Sequence, residues 1–389
     1  MSEIFRGFDQ LDTAQLPTPC YVVDAARIEQ NLQVLSRVEE ESGAKVLLAL
    51  KAFSMYHFAP LIMRYLSGTC ASGLHEAKLG REEFGGELTT FCAAYKEEDL
   101  REILLLSNHV IFNSLGQWQQ FKPMALAAQR EKPELSFGLR VNPQHSEGAV
   151  GVYNPCAPCS RLGIPIDQLL DADFEGIDGL HMHTLCEQDF PPLDRTLAVL
   201  EGKLGDRLHR LKWLNLGGGH HISHKDYQVD DLILRLRDLQ QKYSLQAYVE
   251  PGEAIALNAG VFVTQVLDIS QNNANLALLD CSATCHMPDV LEMPYQPQIL
   301  GATVGADGKH PFRLGGMTCL AGDVIGDYSF EQPLAIGDRL IFGDMAIYTM
   351  VKTTTFNGMA LPSIIAWDSR DNQHTVVRSF GYDNFKSRL

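Results

Sequence analysis

The chain has 389 residues, 45% of them apolar and 21% charged, and a net charge of −16. Acidity of this kind repels phosphate backbones and anionic bilayers, which makes nucleic acid and membrane surfaces poor partners and mildly favours a cationic one. The length suits two domains, one of them large.

Met1 to Gln15 mixes Glu3, Arg6, Asp9 and Asp12 with no apolar core, unlike a signal peptide. No other stretch is apolar enough over enough residues to span a bilayer. Nine cysteines, an odd number scattered through the chain, suit reduced thiols in the cytoplasm. Cys156-Ala157-Pro158-Cys159 is a CxxC with no second pair to complete a zinc site. It reads as a loop carrying two thiols, and no metal is expected.

Pro17-Thr18-Pro19 leads in extended form into Cys20–Asp24, and Asp24 suits the N-cap of a helix from Ala25 to about Glu40. Then come eight apolar, β-branched runs: Val46–Leu50, Thr69–Ala71, Leu88–Phe91, Val110–Phe112, Ser136–Val141, Leu180–Thr184, Trp213–Leu216 and Ala247–Val249. Helical patterns follow most of them, at Leu74–Phe84, Glu97–Leu106, Leu115–Ala128, Leu193–Leu211 and Asp230–Lys242. Alternation of this sort predicts a parallel sheet, and the count of eight predicts closure into a (β/α)8 TIM-type barrel over about residues 20–262. From Val261–Ile269 onward long strands are split by turns such as Ala306-Asp307-Gly308-Lys309. Residues 263–389, with 1–19, therefore read as a mostly antiparallel β-barrel or sandwich domain.

Polar residues cluster at the C-terminal ends of the barrel runs, where such barrels place their active sites. The first run stops on Lys51. Burying a bare ammonium is prohibitive, so that lysine reaches water, an acid or a ligand, and an amine there can serve as nucleophile or Schiff-base former. Ser72 follows the second run, with Glu76 a turn into the helix; Asn113 ends the fourth, Arg140 lies in the fifth and His183 ends the sixth. His181 and His183 are read as alternating, one facing the interior and one the helices. The seventh run enters Gly217-Gly218-Gly219-His220-His221, and the eighth ends in Glu250-Pro251-Gly252-Glu253. A triple glycine after strand seven sits where such barrels hold a phosphate with backbone N–H groups. A phosphate cradle plus a nucleophilic lysine suggests pyridoxal 5′-phosphate, with Glu250 as partner of the pyridine nitrogen and His183 against the ring.

The order of these features resembles the fold-type III pyridoxal-phosphate decarboxylases, the ornithine and diaminopimelate decarboxylase superfamily. Within it the likeness is greatest to the branch acting on carboxynorspermidine and carboxyspermidine. It runs from about Pro17 to Tyr348, carried by Ala49-Leu50-Lys51-Ala52, Thr69-Cys70-Ala71-Ser72, Ser160-Arg161-Leu162-Gly163, Leu180-His181-Met182-His183, Leu216–His221, Val249–Glu253 and Thr318–Asp323. The resemblance implies that Lys51 forms the Schiff base, that Glu250 bonds the pyridine nitrogen, and that His183 stacks on the ring. It also implies a phosphate held by Gly218 and Gly219 with help from Tyr348. Cys319 would return a proton after carbon dioxide departs, entering from the other subunit of a homodimer with shared sites.

The chain departs from its sister enzymes in places. Glu253 stands where they have a phosphate-binding arginine, Leu185-Cys186 where they have Gly-Ser, and Thr69 where they often have aspartate. Leu320 replaces the acid that reads the substrate's distal charge, which argues against ornithine or diaminopimelate. Asp323, Asp280, Asp289 and Glu292 remain as candidates to meet substrate amines. His220, with His221 and His224, could be a metal cluster or a contact for the substrate carboxylate.

Other readings are a decarboxylase of another basic amino acid, a metal-dependent hydrolase on the same barrel, a cofactor-free relative and a racemase. The hydrolase pattern wants His-x-His on the first strand and lysine on the fourth, the reverse of the order here. Loss of the cofactor tends to remove site residues that this chain keeps, and a racemase would put arginine rather than Glu250 on the ring nitrogen.

Overall fold

The computed structural model describes residues 3–148 and 151–389. It forms two compact units, Glu29–Ile255 and Met1–Ile28 with Ala256–Leu389.

In the first unit eight parallel strands close on themselves. They are β1 (Lys45–Ala49), β2 (Gly68–Ala71), β3 (Glu87–Phe91), β4 (His109–Phe112), β5 (Ser136–Asn142), β6 (Gly179–His181), β7 (Trp213–Asn215) and β8 (Gln246–Val249). Each pairs with the next, and β8 returns to β1 through Tyr248 opposite Lys45 and Val249 opposite Val46. All eight apolar runs are strands, and a two-residue strand, Ile164–Pro165, is added beside the end of β5. The helical patterns sit between them, at Glu97–Leu106, Leu115–Glu131, Phe190–Leu208 and Val229–Tyr243 among others. The pattern over Leu74–Phe84 is two pieces: an α-helix, Leu74–Leu79, that widens into a π-helical turn over Gly80–Phe84.

A side-chain period of two sends alternate residues of each strand inward. Leu47, Ile111, Trp213 and Tyr248 form one interior cluster, with Cys70 and Phe91 against it. Trp213 is the largest of these, and its indole lies over the two strands on one side of β7, β6 and β5. A Cβ on Gly138 of β5 or Gly179 of β6 would lie 2.3 or 2.0 Å from that indole. His109 stacks on Trp213 with centroids 4.7 Å apart and planes 2° from parallel, and the indole N–H donates to Ser136 Oγ at 2.8 Å. The aromatic floor fills the barrel and leaves the C-terminal strand ends to polar side chains.

The second unit is a nine-stranded sheet. Its order runs Ala302–Val304, Val324–Phe330, Pro311–Gly315, Asn275–Leu279, Gly260–Gln271, Cys20–Asp24, Ser363–Asp368 and Gln373–Arg378, with Arg339–Gly343 also on Gly260–Gln271. The sheet is mixed, because Cys20–Asp24 runs parallel to Ser363–Asp368, and Asn275–Leu279 runs parallel to Pro311–Gly315. The boundary therefore differs from a break at residues 262/263. Cys20–Asp24, placed with the barrel from sequence, pairs antiparallel with Gly260–Val263, since its wholly apolar face completes this sheet's core. Phe5, Phe8, Leu11 and Leu16 pack on the same core with Val22, Val261 and Trp367. No helix among the described residues is long and apolar enough to cross a membrane.

Candidate active site

Parallel strands put all their C-terminal ends at one mouth of the barrel. Lys51 lies there two residues beyond β1, exposed, and it makes no hydrogen bond or ion pair with the described residues. Its charge is felt by Glu250, His181, His183 and Cys70. The nucleophile candidate and the acid candidate thus share one field.

Glu250 follows β8 and is 9% exposed. Asn215 Nδ2 donates to its Oε1 at 2.7 Å, and His181 Nε2 lies 3.2 Å from its Oε2. Burial alone would raise the carboxyl, but His181, the Asn215 hydrogen bond and the Lys51 charge together hold it below the ordinary value. Burial acts on His181 the opposite way and, with Arg140 and Lys51, keeps its ring neutral despite Glu250. A neutral imidazole donates through Nε2, so Glu250 is an anion held by uncharged donors, the Cys70 thiol among them. His181 Nδ1 is buried without a hydrogen-bond partner.

His181 and His183 do not face opposite sides. Residues two apart on a strand share a face, and both rings feel the charges of Lys51 and Arg140. His183 Nδ1 accepts the backbone N–H of Gly218 at 3.0 Å. Burial, then the charges of Lys51 and Arg140, push this ring well below its usual value, so it stays neutral with its proton on Nε2. Arg140 is 5% exposed, donates to the His183 carbonyl at 3.3 Å and lies 4.5 Å from the Phe91 ring centroid. Burial lowers it to about 10, which still leaves a cation. Phe91 in turn stacks on His181, with centroids 5.5 Å apart.

The triple glycine is tight on every side. Gly217 and Gly219 have φ of +68° and +86°, a region that favours glycine. A Cβ would lie 2.4 Å from the Met182 carbonyl at Gly217, 2.1 Å from the Glu250 carbonyl at Gly218 and 2.0 Å from the Leu185 carbonyl at Gly219. The turn is anchored by Asn215, whose Oδ1 accepts the Gly217 N–H at 2.9 Å. Asn215 thus ties the glycine turn to the Glu250 carboxylate. The sequence reading passed over it, although an asparagine inside Trp213–Leu216 was a signal: a fully buried amide has to find partners.

Other candidates stand elsewhere. Ser72 is exposed at the end of β2, and Glu76 accepts its N–H at 2.7 Å, so that acid caps its own loop. Asn113 holds the Arg161 carbonyl at 2.8 Å and the Gly163 N–H at 2.6 Å, fixing the Ser160–Gly163 turn. His220 is 2% exposed, 2.7 Å from the Tyr227 hydroxyl, and driven by burial to about 3. Its Nε2 is buried without a hydrogen-bond partner. Glu253, in the arginine position, lies 3.1 Å from His221 Nε2. No group of three His, Cys, Asp or Glu among the described residues is placed to hold a metal ion.

In the sheet unit Cys319 is exposed on the loop that leads to Asp323. Asp323 itself is 4% exposed, accepting Ala283 N–H at 2.7 Å and the Thr318 hydroxyl at 2.6 Å. Its carboxylate is engaged within the sheet unit. Asp280 is likewise taken up by Thr264 and by the Gln265 N–H. Asp289 and Glu292 share Lys352, at 2.5 and 2.6 Å. Tyr348 is half-buried in a left-handed backbone conformation, φ +48°.

A closed (β/α)8 barrel with a lysine, a buried anionic acid and a glycine cradle at one mouth, followed by a β-sheet unit, defines a decarboxylase architecture. Residues 20–346 match the family model described as pyridoxal-dependent decarboxylase, C-terminal sheet domain. The carboxyaminopropylagmatine decarboxylase of Synechocystis sp. is 41% identical over 97% of this chain and 96% of its own. The carboxynorspermidine/carboxyspermidine decarboxylase of Campylobacter jejuni is 40% identical over 96% of this chain and 99% of its own. The crystal structure of carboxynorspermidine decarboxylase from Campylobacter jejuni in complex with norspermidine superposes with a TM-score of 0.88 at 39% identity, covering 96% of this chain and 100% of that one. The chain belongs to the pyridoxal-dependent decarboxylases of the ornithine, diaminopimelate and arginine type.

Proposed function

We propose that this protein decarboxylates carboxynorspermidine and carboxyspermidine, giving norspermidine or spermidine and carbon dioxide, with pyridoxal 5′-phosphate as cofactor. The observation that carries the reading is the mouth itself, where Lys51 and an anionic Glu250 end neighbouring strands β1 and β8. Near-full-length likeness to the norspermidine-bound relative supports the substrate. The donor set suits the cofactor: an exposed amine, a carboxylate held as an anion, and a turn in which a Cβ would fill the space next to the Glu250 carbonyl.

When bound, pyridoxal phosphate supplies the electron sink for the pair released as the bond from Cα to the carboxylate breaks. Lys51 is the residue placed to hold the cofactor covalently and to be exchanged for the substrate amine. Glu250 keeps a proton on the ring nitrogen through its anionic carboxylate. His183, a neutral ring fixed by Gly218, would pack against the cofactor ring, and Gly219 with Tyr348 would hold the phosphate. Ser72 and Arg140 line the same mouth. Cys319 Sγ is the proton donor to Cα, supplied by a second copy of the chain in a homodimer.

A second substrate, carboxyaminopropylagmatine, is favoured by the 41% identical relative named for it. Carbon dioxide release by the purified protein with pyridoxal phosphate separates these. The protein is offered carboxynorspermidine, carboxyspermidine, carboxyaminopropylagmatine, ornithine and meso-diaminopimelate in turn. Release from either of the first two, and not from the last two, upholds the proposal. Release from carboxyaminopropylagmatine alone moves the substrate to the second reading, and release from ornithine or diaminopimelate overturns both.

A further inference from the structure

The proposed role of Glu250 requires a carboxylate that stays charged at a site 9% exposed. No Lys or Arg makes an ion pair with it among the described residues. What touches it is His181 at Oε2, 3.2 Å away, Asn215 at Oε1, 2.7 Å away, and the Cys70 thiol, which also hydrogen-bonds the carboxylate. A carboxylate has about four lone-pair sites, so capacity is left for a further donor from the mouth. The side chains that provide this are themselves locked. His181 is 2% exposed and stacked on Phe91, and Asn215 is fully buried with its other end on the Gly217 N–H.

We infer that His181 and Asn215 are positioning residues for the cofactor's ring nitrogen: they fix the Glu250 carboxylate in place and help keep it charged without a Lys or Arg in ion-pair contact. A Lys or Arg in ion-pair contact would have kept it charged too, but would have neutralised the anion that the ring nitrogen needs. Uncharged donors avoid that conflict. The other charged or titratable groups facing Glu250 are Lys51, Cys70, Arg140 and His109, none of them in ion-pair contact with it. The Asn215 amide also joins the two halves of the site. One side chain sets both the glycine turn and the acid, so the phosphate and the ring nitrogen are placed from a single point.

This rests on the pyridoxal-phosphate reading, and the test separates the two. Affinity of the apoprotein for pyridoxal phosphate is measured by fluorescence titration across pH in the full chain, with His181→Phe and His181→Gln. Phenylalanine keeps a ring on Phe91 but loses the donor, and glutamine keeps a donor but loses the ring. Loss of one charge-assisted hydrogen bond is expected to raise the acid limb of the affinity profile by about one pH unit in His181→Phe, with affinity on the alkaline side unchanged. His181→Gln should keep the wild-type limb. A uniform loss at every pH, a wild-type limb in His181→Phe, or the same shift in both variants would overturn the inference. If His181→Phe does not fold, Asn215→Ala decides the matter: it removes both the donor to Oε1 and the anchor of the glycine turn, so a raised acid limb on top of a loss at every pH upholds the inference and a loss with the wild-type limb overturns it. Failure of the wild-type protein to bind pyridoxal phosphate at all would instead remove the functional reading on which the inference stands.

Discussion

The backbone N–H of Gly218 is donated to His183 Nδ1 over 3.0 Å, so the glycine turn after β7 and the ring after β6 hold one another. Sequence analysis assigned that N–H to the phosphate. It orients the histidine, which leaves the Gly219 N–H as the proposed phosphate donor of the pair. The Gly218 position also has no room, with the Glu250 carbonyl where a Cβ would go. Gly218→Ala should force the turn away from β8, costing about 1–3 kcal/mol as an overpacked site and weakening cofactor binding more than that strain alone. Thermal melts of the apoprotein give the first quantity and cofactor titration the second. Wild-type affinity in Gly218→Ala would show that the turn is not part of the cradle.

Lys51 is the exposed amine at the mouth whose charge reaches Glu250, His181 and His183. Lys51→Ala should abolish the visible absorption band of lysine-bound cofactor and all carbon dioxide release, while leaving the fold intact by circular dichroism. Lys51→Arg keeps the charge but cannot form the covalent bond, and should lose the band as well. A band retained in either variant would move the attachment to another amine.

How much of this was legible depended on the kind of regularity involved. The eight barrel strands were readable because each is an apolar run bounded by turn residues, and parallel closure followed from the alternation with helices. The polar strand ends were readable because parallel order puts them together. Trp213 is the counterexample. That Gly138 and Gly179 flank a tryptophan is a contact across three strands, and no local pattern announces it. Asp323 shows the same limit from the other side: the chain displays a carboxylate near Cys319, but only the fold reveals that Ala283 and Thr318 already occupy it. The strand Cys20–Asp24 was misplaced because an apolar strand does not say which sheet it completes.

Trp213 and its two glycines carry a stability prediction. Gly179→Ala puts a Cβ 2.0 Å from the indole of Trp213. Trp213→Ala should cost about 3–5 kcal/mol as a large cavity, and Gly179→Ala should cost about 1–3 kcal/mol from overpacking. If the strain belongs to that one contact, combining them should recover part of the glycine penalty, because the indole it strikes is gone. Denaturant midpoints of the single and double variants check this, and strict additivity would place the strain elsewhere.

His109, stacked on the same indole, makes the floor sensitive to acid. Burial lowers its ring from the usual 6.5 to about 4, with the Lys45 charge adding to the effect. Between those values the unfolded chain binds the proton and the folded chain does not. The stabilisation is therefore complete above the unfolded value and is lost as pH falls toward the folded one, in all by about 3 kcal/mol. His109→Phe keeps a stacked ring and removes the proton. It should lose less stability than the wild type on going from pH 7 to pH 5, by about 2 kcal/mol in denaturant titrations. An equal loss in both would assign the acid sensitivity to other buried groups, of which His286 and His220 are candidates.

Cys319 and Lys51 give the last test, because they sit in different units of the chain and the proposed site draws them from different copies. Asp323 holds the cysteine loop through Thr318, so Cys319→Ala and Asp323→Ala should both cut turnover while leaving cofactor affinity unchanged. Lys51→Ala should be inactive for the separate reason that it cannot attach the cofactor. Mixing inactive Lys51→Ala with Cys319→Ala and allowing subunits to exchange pairs one defect with the other. In a mixed dimer one site then carries both defects and the other carries neither. Equal mixing of a two-fold dimer should restore up to about a quarter of wild-type carbon dioxide release. No recovery, in a mixture shown by mass spectrometry to contain mixed dimers, would mean that each copy builds its site alone and that Cys319 acts, if at all, within its own chain.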